Sequence, residues 1–164
     1  MAVALPLHGG CDCGAVRYAL AGAPLLVYAC HCHACQTRSG SAFSLTVVVR
    51  TADLSITGPL DVTRTTTRRG REVDKGRCPL CHVQLMASAP AASDYASLLA
   101  GTLDDAGWAV PIAQICVESA LPWALIPGAR TVDSDALDFH ALGEEWRATA
   151  PAFRPDASPT GAIA

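Results

Sequence analysis

The residues best equipped for chemistry are the eight cysteines: Cys11, Cys13, Cys30, Cys32, Cys35, Cys78, Cys81 and Cys116. Seven fall in three tight groups, and Cys116 stands alone. A C-x-C or C-x-x-C pair presents two sulfurs on one turn and so supplies two corners of a metal tetrahedron. Zinc takes four such ligands, at about 2.3 Å from each thiolate. Cys11 with Cys13, and Cys78 with Cys81, are two such pairs. Together they make a closed four-thiolate site with no position left to react. Cys30, Cys32 and Cys35 remain, in the pattern C-x-C-x-x-C. Three thiolates on one short loop cover one face of an ion and leave a fourth position exchangeable, as catalytic zinc sites do. Three negative charges around a divalent ion make a weak Lewis acid, poor at generating hydroxide. Such a site suits a soft fourth ligand such as a substrate thiol. The alternative for the same three cysteines is a second structural zinc, completed by a histidine such as His31, His33 or His82.

Other groups carry weaker signals. Ser39, Gly40 and Ser41 offer hydroxyl and backbone donors to a substrate carboxylate or carbonyl, or form a plain turn. Asp104 and Asp105 shape a turn or shuttle a proton. Residues 63–77 hold Arg64, Arg68, Arg69, Arg71, Lys75 and Arg77, half of the basic residues in the chain. That run has the charge to bind carboxylates or a phosphate, but Glu72 and Asp74 interrupt it, and a solvated hairpin is the expectation. Cys116 reads as a buried thiol in a strand, Trp123 as core, and His8 and His140 as surface residues.

The elements that position these groups are short and mostly β. Residues 9–20 begin with a glycine-rich turn around Cys11 and Cys13 and run into an alternating strand. Residues 24–31 form a strand that delivers Cys30 at its end, and a loop covers 32–41. The β-branched run at 42–49 is a strand, followed by short strands at 54–57 and 60–65 around Gly58-Pro59. Residues 78–81 make a turn into a strand at 83–86, with a loop at 87–92, a strand at 98–103 and another at 112–117. A short helix is expected over 135–147, capped by Asp133 or Ser134. Residues 1–147 read as one zinc-binding domain, and the proline-rich stretch 148–164 as a loosely held tail.

With 164 residues, 51% of them hydrophobic and 16% charged, the chain is long enough for one packed domain and too apolar for disorder. A net charge of −3 gives no general pull towards nucleic acid or anionic membrane. No stretch reaches the roughly 18 apolar residues of a spanning helix. The N-terminal segment lacks a positive n-region and is broken by Pro6, so a cytoplasmic location is expected, where thiols stay reduced. There, metal explains clustered cysteines better than disulfides do.

Taken together, these motifs resemble the glutathione-dependent formaldehyde-activating family, which includes the centromere protein V-like proteins. The resemblance runs over residues 9–123 and rests on the segments 9–18, 30–35, 39–43, 78–81, 101–105 and 118–123. It implies a tent-shaped, Mss4-like fold of short antiparallel sheets. It also implies two zinc ions, one structural at Cys11, Cys13, Cys78 and Cys81, and one catalytic at Cys30, Cys32 and Cys35. The implied activity is a carbon–sulfur lyase or synthase that joins glutathione to formaldehyde as S-hydroxymethylglutathione, or releases them. The implied partners are a small thiol and an aldehyde, with neither nucleic acid nor membrane, and with homo-oligomerisation left open. Where the resembling proteins carry glycine after the second C-x-x-C and histidine in the late strand, this chain has His82 and Gln114. Gln114 joins Ser39, Gly40 and Ser41 as a candidate substrate contact. Another carbonyl or sulfur metabolite, or a non-catalytic zinc-stabilised binding module, are the alternative functions.

Overall fold

The computed structural model describes residues 2–134 and 138–156. The chain runs β1 (Val3–Leu5), β2 (Leu7–Gly10), β3 (Arg17–Leu20), β4 (Leu26–Cys30), helix α1 (His33–Ser39), β5 (Ser44–Arg50), β6 (Leu54–Thr57), β7 (Asp61–Thr66) and β8 (Glu72–Arg77). It continues through β9 (Gln84–Ser88), β10 (Tyr95–Leu99), β11 (Ala113–Ile115), β12 (Arg130–Val132), helix α2 (Phe139–Thr149) and β13 (Phe153–Pro155). The fold is mainly β, as the sequence predicts, and its arrangement is consistent with an Mss4-like fold.

Burial decides the order of the strands. The run Val47–Val49 is buried throughout, as are Leu26, Val27 and Ala29, and residues apolar on both faces belong in the middle of a sheet. Accordingly β4 and β5 lie inside an eight-stranded sheet of order β12-β11-β4-β5-β10-β9-β8-β7. A three-stranded sheet, β2-β3-β6, packs its inward Leu7, Tyr18 and Leu20 into the same core. The polar β7–β8 ribbon sits at the edge of the large sheet, with β7 almost wholly exposed, in line with the predicted solvated hairpin. The sheets are not purely antiparallel: β11 runs parallel to both β4 and β12, and β13 runs parallel to β1. Parallel pairs need long crossovers between their strands, and local sequence patterns carry no trace of those.

Several expectations are corrected. The predicted loop at 32–41 contains α1, because the amides of Cys35 and Gln36 both donate to the Cys32 carbonyl, at 2.9 and 3.0 Å. The turn that brings Cys32 and Cys35 together is thus the first turn of a helix. Seven residues are too few for a helical period to show, and Gly40 ends the helix in the left-handed conformation. The strand expected at 98–103 is β10, with a single tight helical turn over Ala100–Thr102 after it. Helix α2 starts after the predicted start, capped by Asp138, whose carboxylate accepts from the amides of His140 and Ala141. Of the segment predicted as helix, residues 135–137 lie outside the described residues.

Residues 148–156 are tied down rather than loose: β13 pairs with β1, and Phe153 packs edge-on against Trp108 at 5.2 Å. Trp146 joins that cluster and donates from its indole nitrogen to the Val110 carbonyl at 3.1 Å. On α2 the buried face is Leu142, Gly143 and Trp146. A Cβ at Gly143 would come within 3.1 Å of the Leu25 carbonyl oxygen just before β4, so any larger residue there would push the helix or Leu25 back by a few tenths of an ångström. Trp123, predicted as core, is 78% exposed. Cys116 lies just past β11 in the left-handed region, φ 56°, partly buried against Cys30, Cys35 and Ile115.

Candidate functional site

Two turns from different sheets build the first cysteine cluster. Cys11 and Cys13 follow β2, on a turn closed by Cys11 N–H donating to the Val16 carbonyl at 2.9 Å and Gly14 N–H donating to the Cys11 carbonyl at 3.1 Å. Cys78 and Cys81 follow β8, on a turn closed by Cys78 N–H to the Val83 carbonyl and His82 N–H to the Cys78 carbonyl, both at 3.0 Å. All four sulfurs lie within 4.8 Å of one another. Cys13 Sγ is 3.5 Å from Cys11 Sγ and 3.7 Å from Cys78 Sγ. These are far beyond a disulfide bond of about 2.05 Å and near the roughly 3.8 Å edge of a tetrahedron with metal–sulfur bonds of about 2.3 Å. Backbone amides already point at the sulfurs, Val16 N–H at Cys11 (3.2 Å) and Leu80 N–H at Cys78 (3.4 Å). Such donors stabilise thiolate charge. The amides of Cys13 and Val83 push the Cys81 thiol down to about 6. The four residues fit a metal ion.

Cys30, Cys32 and Cys35 form the second cluster, with their sulfurs again within 4.8 Å of one another. Cys30 ends β4, paired with Ser44 of β5 and Ile115 of β11. Cys32 caps α1 and Cys35 lies in its first turn. Hydrogen bonds from Cys30 and then Cys35 hold the Cys32 thiol well below the ordinary thiol range. Among the described residues no histidine or carboxylate joins this group. His31 is fully buried with neither ring nitrogen partnered, its ring tilted against Phe43 at 5.3 Å. His33 and His82 are exposed on the surface. Three sulfurs converging without a fourth ligand fit an ion held on one face.

The structure distributes the remaining candidates unequally. Ser39 uses its hydroxyl on the Cys35 carbonyl at 2.8 Å and the Phe43 carbonyl at 3.1 Å, a helix-ending role. Gly40 is the left-handed cap, and Ser39 and Ser41 are both exposed and line the cleft described below. Gln114 is 5% exposed; its amide donates to the Ile126 and Ala129 carbonyls at 3.3 and 3.2 Å and accepts from Ile126 N–H at 3.0 Å. It clamps the 126–129 loop with both amide hydrogens and one acceptor position. Asp104 pairs with Arg17 of β3, and Asp105 accepts from Gly107 N–H at 3.0 Å and shapes the turn.

A cleft of about 1020 Å³ separates α1 from the turn that carries Cys81, with His33 and Ala34 on one wall and Cys81 and His82 on the other. Arg38, Arg68, Lys75 and Arg77 line it, with no aspartate or glutamate among the lining residues. Partial burial, and then Arg38 and Arg77, hold the Lys75 ammonium below the ordinary lysine range. Arg38 also donates to Cys35 Sγ at 3.2 Å, joining the cleft to the three-cysteine cluster. Sequence reasoning missed Arg38 because its signal, the i+3 spacing from Cys35 on one helical face, exists only once α1 is recognised.

No curated protein matches this chain. Among solved structures, a crystal structure of a Rhodobacter sphaeroides protein is similar at 19% identity, over 59% of this chain and 87% of that one, with a TM-score of 0.47. The sequence model of the family described as glutathione-dependent formaldehyde-activating enzyme matches residues 6–119, which takes in all seven clustered cysteines, and the chain belongs to that family.

Proposed function

We propose that this chain activates a small thiol of the glutathione kind for addition to, or release from, a small aldehyde such as formaldehyde. The observation that carries the reading is the three-sulfur cluster of Cys30, Cys32 and Cys35, which no fourth protein ligand completes among the described residues. Zinc is the ion that the softness and geometry of these ligands favour, two per chain, and when bound at the trio it supplies an exchangeable position where a thiol gives up its proton readily.

Around that position the chain's own residues do the rest. Cys30 and Cys35 are buried and fixed by β4 and α1, while Cys32 is partly exposed on the approach from solvent. Arg38 holds Cys35 from the outer side and stiffens the trio. In the forward direction the thiol proton leaves sulfur, a carbon–sulfur bond forms at the carbonyl carbon, and a proton reaches the former carbonyl oxygen. The reverse direction breaks the same bond. The four-cysteine cluster lacks any open corner and is assigned a structural role. Both clusters require free thiols, which fits a reducing compartment such as the cytoplasm. Residues 1–147 are read as the zinc-binding unit of the chain.

The test follows exchange between free formaldehyde and its glutathione adduct by NMR with zinc-loaded protein. Exchange faster than buffer, and abolished by Cys32→Ala with the fold retained, supports the reading. A rate equal to buffer with both sites loaded overturns it for this substrate pair.

A further inference from the structure

Four cations converge on the cleft from separate elements. Arg38 comes from α1, Arg68 from the turn between β7 and β8, and Lys75 and Arg77 from β8. Elsewhere the chain pairs arginine with acid: Arg17 with Asp104, Arg64 with Asp74 at 2.7 Å and Arg130 with Glu145 at 3.0 Å. Among the described residues no such ion pair engages the four cations of the cleft. Its lining contains no acid, although acids outnumber bases in the sequence, 15 to 12. The Lys75 ammonium feels both Arg38 and Arg77, so these charges lie within range of one another. Like charges gathered around one concavity repel, and an anion that enters relieves them.

The cleft offers more than charge. Arg38 gives one N–H to Cys35 Sγ, and its Nε is buried without a partner. Gln84 is 5% exposed; its amide nitrogen donates to the Met86 carbonyl at 3.3 Å, and its Oε1 is likewise unpartnered. Both residues line the cleft, so an unused donor and an unused acceptor lie beside the cations. Buried polar atoms left unpaired cost free energy that a ligand's own acceptor and donor recover. Phe43 and the imidazoles of His33 and His82 add flat faces to the same lining, against which a ring can stack. A volume of about 1020 Å³ holds a ligand with both an anionic head and a ring.

A phosphate monoester suits this cationic set better than a carboxylate does. It gathers up to two charges and three terminal oxygens on one group. It therefore accepts from donors arriving from several directions, and guanidinium groups pair with it bidentately. The N–H edge that Gln84 Oε1 lacks and the flat body that the rings favour occur together in a nucleobase. None of Cys30, Cys32 and Cys35 lines the cleft, so the site is separate from the three sulfurs and does not depend on the proposed reaction.

We propose that this cleft binds a nucleoside monophosphate, its phosphate held by Arg38, Arg68, Lys75 and Arg77 and one N–H of its base on Gln84 Oε1. This assignment replaces the predicted solvated role of Arg68, Lys75 and Arg77.

Calorimetry on the zinc-loaded full chain with each of the four ribonucleoside 5′-monophosphates tests it. At least one should bind, with an affinity that falls as salt rises from low to physiological strength. The matching nucleoside should bind about tenfold or more weakly, as expected for losing hydrogen bonds to a charged group. Arg68 and Arg77 are both exposed, and the double variant Arg68→Gln, Arg77→Gln should weaken the nucleotide and inorganic phosphate alike. Gln84→Leu, with its melting transition retained, should weaken the nucleotide severalfold and leave inorganic phosphate unchanged. No binding by any of the four, equal binding of nucleotide and nucleoside, or binding unmoved by the arginine substitutions overturns the proposal. S-methylglutathione bound as tightly as the best nucleotide overturns it too, since the cleft would then be a carboxylate site.

Discussion

The two cysteine clusters use the same ligand atom for opposite ends. The four-cysteine cluster joins positions far apart in the chain, Cys13 and Cys78 being 65 residues apart, and it links a turn of the small sheet to a turn of the large one. Closing so long a loop removes much of the freedom of the unfolded chain, and a metal ion held there would be coupled to folding. The three-cysteine cluster spans a single β4–α1 connection, so its ligands are neighbours before anything folds. A site that ties nothing distant together can lose, exchange or open a ligand position without endangering the rest. Long-range closure favours structure, and local closure leaves freedom for chemistry.

The largest effect should come from cutting one ligand in each cluster. Cys78→Ser should lose one metal per chain by elemental analysis together with cooperative thermal unfolding by circular dichroism. Cys32→Ser should also lose one metal but keep the melting transition close to that of the parent. Equal destabilisation by the two substitutions would break the contrast between a tie and a working site. A smaller effect sharpens it at His82, which follows Cys81 with φ 61° in the left-handed region that L side chains adopt at a cost. His82→Gly should raise stability by about 1 kcal/mol in denaturant unfolding, through relief of strain in the structural turn. No gain would mean that the turn is not strained. The glycine that resembling proteins carry here has this physical reason.

The smallest effect concerns pairs outside both clusters. Arg17 holds the Asp104 carboxyl, and Arg64 the Asp74 carboxyl, below the ordinary carboxylate range. For an acid whose folded pKa is depressed, the stabilisation is complete above its unfolded value, near pH 4, and is lost as pH falls further through the folded value. These pairs are exposed in part and worth little each. Asp74→Asn should flatten the acid limb of a stability-versus-pH curve slightly, in low salt, without touching metal content. A large loss of metal in that variant would show that the hairpin and the four-cysteine turn beside it are coupled.

Much of this was legible in the residues. The partition of seven cysteines into four and three was read from pair spacing together with the family resemblance, since spacing alone permits other groupings. The strands around β4, β5, β6 and β11 followed from alternation and β-branched runs. What escaped did so for local reasons. Helix α1 is too short to show a period, and β13 is three residues whose partner lies at the other end of the chain. Gln114 was assigned to substrate because it stands where the resembling proteins carry histidine. A polar residue in a late strand carries no mark of which way it faces, and in the fold its amide bonds a neighbouring loop.

By itself the sequence determined which atoms can bind metal and how many, because ligand chemistry and turn spacing are properties of short segments. Only the tertiary structure decided that α1, the β7–β8 ribbon and the Cys81 turn face one another across a cationic cleft. Charge segregation of that kind is a property of surfaces meeting in space: the basic run at 63–77 is visible in the sequence, but Arg38 joins Arg68, Lys75 and Arg77 only in the fold.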